Sequence, residues 1–288
     1  MKYPRIILIS GKGGVGKSLI SLGIAAAHSK QGRKVLVVEL GEASHYRHLF
    51  SQSFGFLPLA VSVGGAEFQV ARWTGRDCLE EYFTHVFKIK SLAQAFFSSP
   101  IMKALIGAAP ALADVAILGK LTSDVRAVGP PFRYDLIVVD AYSTGHYLAL
   151  MRAPLGLADA VQSGPMGSQS RQIHQVLLNR EVVSHGIVTT FEEASVQEAE
   201  QLYADLIKEG VQPFVIGNLF LPEVKGGEGG GNSQFLQYLA ARYSQQKKFL
   251  QRMSDVMGKP FLVDQIFSQD REILLSAMAE QIGAWRGD

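Results

Sequence analysis

The run Ile6-Ile7-Leu8-Ile9-Ser10-Gly11-Lys12-Gly13-Gly14-Val15-Gly16-Lys17-Ser18-Leu19 decides how this chain is read. Its first residues are apolar without interruption, the pattern of a strand buried on both faces. Gly11 to Ser18 fits G-x-x-x-x-G-K-[ST], and a helical pattern over Lys17–Lys30 overlaps its end. Strand, glycine-rich loop and helix start in that order make an anion cradle. The glycines let the backbone curl until successive N–H groups face phosphate oxygens. The helix N-terminus adds partial positive charge. The expected nucleotide contacts are Gly11, Lys12, Gly13, Gly14, Val15, Gly16, Lys17, Ser18 and Leu19. Lys17 is placed to reach the β- and γ-phosphates, and Ser18 to give a hydroxyl to magnesium. ATP and Mg2+ are the expected cofactors.

Working outward, short runs rich in Val and Ile recur at Arg5–Ile9, Lys34–Glu39, Tyr134–Asp140, His185–Thr190 and Pro213–Gly217, with a weaker one at Ala158–Gln162. Helical patterns lie at Lys17–Lys30, Ser168–Asn179, Ser195–Glu209, Ser233–Ser254 and Asp270–Trp285. Such alternation predicts an α/β fold of the P-loop NTPase kind, a mostly parallel sheet with helices on both faces. One domain over 1–288 is expected, with an apolar helical insert at about 77–123 and a flexible glycine-rich loop at 225–231.

Composition narrows the function. Net charge is +2, so no pull toward nucleic acid is expected. The single cysteine, Cys78, excludes an intrachain disulfide framework and a zinc site built on cysteine pairs, and fits a reducing cytoplasm. The most apolar stretch, Ile101 to Leu118, is broken by Lys103, Pro110 and Asp114, so stable membrane insertion is not expected.

Lys12 refines the reading. A second lysine early in Gly-Lys-Gly-Gly-Val-Gly-Lys-Ser resembles the deviant Walker motif of the MinD/ParA, nitrogenase iron-protein and arsenite-pump ATPases. That resemblance implies a homodimer in which Lys12 reaches the partner's nucleotide and stabilises charge on the transferring phosphoryl group. Asp135-Leu136-Ile137-Val138-Val139-Asp140 is an apolar strand ending in a carboxylate, suited to holding magnesium beside the loop. Gly145 lets a backbone N–H approach the γ-phosphate. The run Asp140-Ala141-Tyr142-Ser143-Thr144-Gly145-His146, then Ala149 to Pro154, is similar to the second switch of the arsenite-pump (ArsA) and tail-anchor-targeting (Get-pathway) ATPase family. Gly164-Pro165, Val188-Thr189-Thr190, Ser195-Val196-Gln197-Glu198 and Asn218-Leu219-Phe220-Leu221-Pro222 follow in family order. The resemblance implies that Asn218 hydrogen-bonds adenine.

The chain departs from that family at the first switch. Where an Asp-Pro-Ala type run carries the aspartate that orients water, this chain has Glu39-Leu40-Gly41-Glu42-Ala43-Ser44-His45. Gly41 has no side chain with which to orient water. Glu39 is the expected substitute, with Glu42 as the other candidate, and Glu39 also suits the magnesium's outer shell. The zinc-binding cysteine pair and the metalloid-binding thiol cluster of relatives are absent, so neither a zinc nor an arsenite site is expected. The expected function is an ATPase that couples ATP binding and hydrolysis in a homodimer to a protein client or partner. The alternative is a nucleotide-gated binder with little hydrolysis.

The insert carries Tyr82, Phe83, Phe96, Phe97, Ile101 and Met102 among many apolar residues. In relatives the equivalent helices form a client groove. Met102 is its one methionine, and apolar stripes at helical spacing are usually core, so we read the insert as packing on the α/β body. Asp270–Trp285 lacks the basic face of a membrane-surface helix and reads as a closing helix on the sheet.

Overall fold

Side-chain alternation sets the layers. On β1 (Ile6–Ser10), Ile6 and Leu8 join one apolar cluster, while Ile7 and Ile9 join another. The same split recurs on β2 (Val35–Leu40) and β5 (Leu136–Asp140). Each strand is buried along its whole length, as a sheet covered on both faces requires. The computed structural model describes residues 4–87, 110–129, 133–161, 164–223, 234–268 and 270–283. The expected glycine-rich loop at 225–231 and the middle of the expected insert, 88–109, lie outside the described residues.

The sheet has eight strands in the order β3-β4-β2-β5-β1-β6-β7-β8. The remaining strands are β3 (Leu59–Val63), β4 (Ala66–Trp73), β6 (Val183–Thr189), β7 (Phe214–Phe220) and β8 (Phe261–Asp264). Among the described strands only β3 runs antiparallel, paired to β4. All other pairings are parallel. One face carries α1 (Lys17–Lys30) and, against it, α10 (Arg271–Gly283). Gly23 permits that contact: a Cβ there would lie 2.6 Å from Ile282 Cδ1 and 2.9 Å from Met278 Cγ. The closing-helix reading of the C-terminal segment therefore holds. Helix α2 (Tyr46–Phe50) follows β2.

The other face is covered by α4 (Pro110–Leu121), α6 (Thr144–Ala160), α7 (Pro165–Leu178), α8 (Glu193–Lys208) and α9 (Gln234–Met257). Helix α3 (Gly75–Phe87) packs on α4, and α5 (Ser123–Arg126) is a single turn. Val115, Ile117, Leu118 and Leu121 of α4 are buried in the main cluster. No helix among the described residues is long and apolar enough to cross a membrane.

Three readings need correction. Ala158–Ala160 is the end of α6, not a strand, and Gln162 lies outside the described residues. A short apolar run does not distinguish strand from buried helix by periodicity alone. Pro154 inside α6 also hides the helix, since proline normally breaks one. The β3–β4 hairpin was not expected, although Val61 and Val63, then Ala66, Phe68 and Val70, alternate around Gly64-Gly65. Strand β7 runs past Gly217 to Phe220, so Asn218 sits within it.

A buried histidine gives the fold a pH dependence. His185 of β6 takes a hydrogen bond from the Tyr147 hydroxyl of α6 at Nδ1 (2.6 Å). Its Nε2 donates to the Leu177 carbonyl (2.9 Å). Facing a carbonyl, Nε2 must carry a proton, and with the Tyr147 hydroxyl as donor Nδ1 stays unprotonated and the ring neutral. Burial pushes its pKa down to about 4. The unfolded chain, with histidine near 6.5, thus binds the extra proton first as pH falls, and stability is lost between about 6.5 and 4. The stability advantage of the parent over His185→Gln should shrink by about 2 kcal/mol between pH 7.5 and 5.0 in urea unfolding. Comparing the two proteins cancels Asp140, whose raised pKa acts in the opposite sense.

Candidate nucleotide-binding site

The carboxyl ends of β1, β2 and β5 lie side by side, where open α/β sheets bind ligands. The loop after β1 is bent by Gly11 (φ 148°), Gly14 (φ 87°) and Gly16 (φ 93°). Two of these are also sterically obliged to lack a side chain. A Cβ on Gly11 would lie 2.1 Å from the Val188 carbonyl oxygen, and one on Gly16 would lie 2.3 Å from Asn218 Nδ2. Val15 is buried, while Gly13 and Gly14 are exposed. Ser18 and Leu19 begin the first turn of α1, half-buried.

Lys17 folds back over the loop, its Nζ donating to the carbonyls of Gly11 (3.1 Å) and Lys12 (3.0 Å). Burial lowers its pKa, and the nearby Asp140 carboxylate opposes that shift. Asp140 ends β5, buried, and pairs in register with Glu39 of β2 and Ile9 of β1. Burial pushes its carboxyl up to about 6; the Ser18 and Tyr46 hydroxyls and Lys17 pull it down, and the Glu39 charge pushes it up. Two carboxylates opposed on neighbouring strands repel. Such a site gains from a divalent cation, and with Ser18 and Lys17 beside Asp140 the residues fit Mg2+ with a phosphate chain.

Glu39 occupies an unexpected state. Its Oε2 accepts from Ser44 Oγ (2.6 Å) and its Oε1 from the His45 backbone N–H (2.5 Å). Both oxygens therefore shape the turn into α2, and the side chain is 1% exposed. Gly41 takes φ 130° with open space where a Cβ would stand. Arg72 of β4 fixes this loop, its Nη1 donating to the carbonyls of Gly41 (3.0 Å) and Glu42 (2.8 Å). The Tyr46 hydroxyl is buried beside Asp140 and Glu39 with no partner in hydrogen-bond geometry among the described residues, and burial raises its pKa well above the usual value.

The segment after β5, Ala141 to His146, is tied to β1. Ser10 Oγ donates to the Tyr142 carbonyl (2.9 Å), and Tyr142 stacks on His146 with ring centroids 3.8 Å apart. Gly145, in the first turn of α6, has open space where its Cβ would be. Thr144 Oγ1 donates to Glu198 Oε2 (3.3 Å), and Glu198 Oε1 pairs with Lys12 Nζ (2.7 Å). Glu198 of α8 thus ties the glycine-rich loop to the start of α6.

Asn218 is buried, and its Nδ2 donates to the Val15 carbonyl (2.8 Å), bracing the phosphate loop from β7. Its Oδ1 has no partner among the described residues. The next residue, Leu219, has φ 59° at a β-bulge, held by Gln246 through its bonds with Leu221 N–H (2.9 Å) and Leu219 O (3.3 Å). Bulges re-aim side chains beside functional sites.

Sequence reasoning brought Lys12, Lys17, Ser18, Asp140 and Asn218 to one place. It missed Tyr46, Arg72 and Gln246 as site-shaping residues. Arg72 was hidden because the β4 hairpin was; Tyr46 and Gln246 carry no local motif.

Phosphate loop, strand-end carboxylate and sheet order together define the class: a P-loop NTPase of the α/β type. A family model described as anion-transporting ATPase matches residues 4–164, more than half of the chain. The chain belongs to that ArsA family of ATPases. It is 27% identical to a putative arsenical pump-driving ATPase of Halobacterium salinarum over 91% of this chain and 42% of that protein. It is 28% identical to ATPase BagA of Mycobacterium tuberculosis over 70% of this chain and 61% of that protein. It is 26% identical to an arsenical pump-driving ATPase of Escherichia coli over 77% of this chain and 40% of that protein. The chain thus spans roughly half the length of the curated relatives it matches.

Proposed function

We propose that this chain binds ATP with magnesium and hydrolyses it slowly as a homodimer in the cytoplasm, coupling the cycle to a protein client or partner. We read 1–288 as one ATPase domain with an apolar helical insert at about 77–123. The observation carrying the proposal is the meeting of Lys17, Ser18 and the buried Asp140 at one glycine loop. Ser18 and Asp140 would hold Mg2+, which when bound neutralises phosphate charge. Lys17 exchanges the carbonyls of Gly11 and Lys12 for phosphate oxygens. Loop N–H groups cradle the phosphates, and Gly145 lets the second switch close on the γ-phosphate. Asn218 is the adenine contact by family resemblance, for which its buried Oδ1 must first be uncovered. No zinc, arsenite or nucleic acid enters this reading.

Lys12 leaves Glu198 to contact the nucleotide of the second copy. That ion pair is part-exposed, at 34% and 41% for the two side chains, so breaking it costs only about 0–1 kcal/mol. Lys12→Ala should then lower turnover by ~10²-fold or more and abolish ATP-dependent dimerisation in sedimentation velocity, with the unfolding midpoint unchanged. Turnover at the parent rate in Lys12→Ala would remove the role assigned to Lys12.

A second reading, nucleotide-gated binding with negligible turnover, is favoured by Glu39. Both its oxygens are spent on the turn into α2, and Gly41 offers no side chain. Tight ATP binding without phosphate release would select it.

A further inference from the structure

We propose that the cavity between α3, α4 and α7 binds a small amphipathic acid, a carboxylate on an aliphatic or aromatic tail, with Arg126 as its counter-ion. The cavity has a volume of about 350 Å³ and is walled mainly by apolar side chains, among them Leu79, Leu112, Val115, Leu157 and Ile173. Ligand pockets begin near this size and have this character, with few polar groups fixing orientation.

Charge at the wall is unbalanced. Of the lining residues described, Glu81, Lys120 and Arg126 are charged. Lys120 is closed on Glu81, with its ammonium over the rings of Phe56 (4.5 Å) and Trp73 (4.9 Å). Arg126 has no carboxylate of its own among the described residues. Its neighbour Asp124 is paired with Arg5. Nε of Arg126 donates to Thr122 Oγ1 (2.9 Å) and Nη2 to the Gly119 carbonyl (2.8 Å), while Nη1 is buried without a hydrogen-bond partner. Burial lowers its pKa, the mark of a cation short of compensation. A half-buried guanidinium with one nitrogen fully buried and no counter-charge is costly, and a carboxylate is its natural bidentate partner.

The volume selects the occupant. A space of about 350 Å³ is of the size that takes a single small molecule. An inorganic anion would leave the apolar wall uncovered. A fatty or aromatic acid satisfies both ends.

The test needs no nucleotide and stands apart from the ATPase reading. Decanoate, decanol and decylamine are titrated calorimetrically into the full chain. Saturable decanoate binding is expected, at least tenfold tighter than decanol, with none for decylamine. This comparison requires no variant. Arg126→Met should bring decanoate down to the decanol level with decanol unchanged, and Ile173→Trp should abolish both by filling the cavity. No saturable decanoate binding to the parent, or equal binding of all three probes, overturns the proposal. So does unchanged decanoate affinity in a folded Arg126→Met.

Discussion

Lys17→Ala is expected to lower magnesium-dependent ATP turnover by at least ~10²–10³-fold, the loss typical when a preorganised charge is removed from a transition state. Lys17 is the one loop residue whose charged group already lies over the carbonyls of Gly11 and Lys12, beside Asp140. Its two hydrogen bonds are to backbone carbonyls of the loop itself, at a part-buried site. Truncation therefore costs little in folding and most in binding and chemistry. Steady-state phosphate release and a thermal unfolding curve on the same preparation check both halves. A variant that unfolds early would point to a structural role instead.

Gly11→Ala is the largest expected loss of stability. The new methyl would lie 2.1 Å from the Val188 carbonyl oxygen, a backbone atom within β6, and the residue has φ 148°. Neither the strand nor the loop can yield without breaking sheet contacts. A cost above ~3 kcal/mol is expected, a fall in unfolding midpoint of roughly 10 °C. Gly13→Ala is the internal control: nothing stands within 4 Å of its Cβ, so its unfolding midpoint should stay within about 2 °C of the parent's. Equal unfolding curves for the two variants would contradict the loop geometry.

What the sequence disclosed follows from how locally each feature is encoded. The phosphate loop is a contiguous motif with its own strand and helix, so Lys12, Lys17 and Ser18 were legible at once. Asp140 was legible because an apolar run ends on it. The β3–β4 hairpin was carried by alternation around Gly64-Gly65 but did not suit an expectation of parallel βα units. Helix α6 was masked by Pro154 and by two glycines, Gly145 and Gly156. The state of Glu39 was not legible at all. Strand position predicts that it shares a face and register with Asp140, but not that Ser44 and the His45 N–H would take both its oxygens. That is decided by a loop five residues on. Likewise the Lys12–Glu198 pair joins residues 186 positions apart, which no local pattern reports.

Gly41 sharpens the issue. Its φ of 130° suits glycine, so an aspartate there would strain the loop even though space is open. Restoring the side chain is therefore a poor test of the site. The most direct measurement is phosphate release from Mg-ATP by the purified chain, run beside Lys17→Ala, with ATP binding measured in parallel. Saturable binding and slow phosphate release are expected in the parent, with release lost in Lys17→Ala. Absence of ATP binding in the folded parent, or release unchanged by Lys17→Ala, would contradict the ATPase reading.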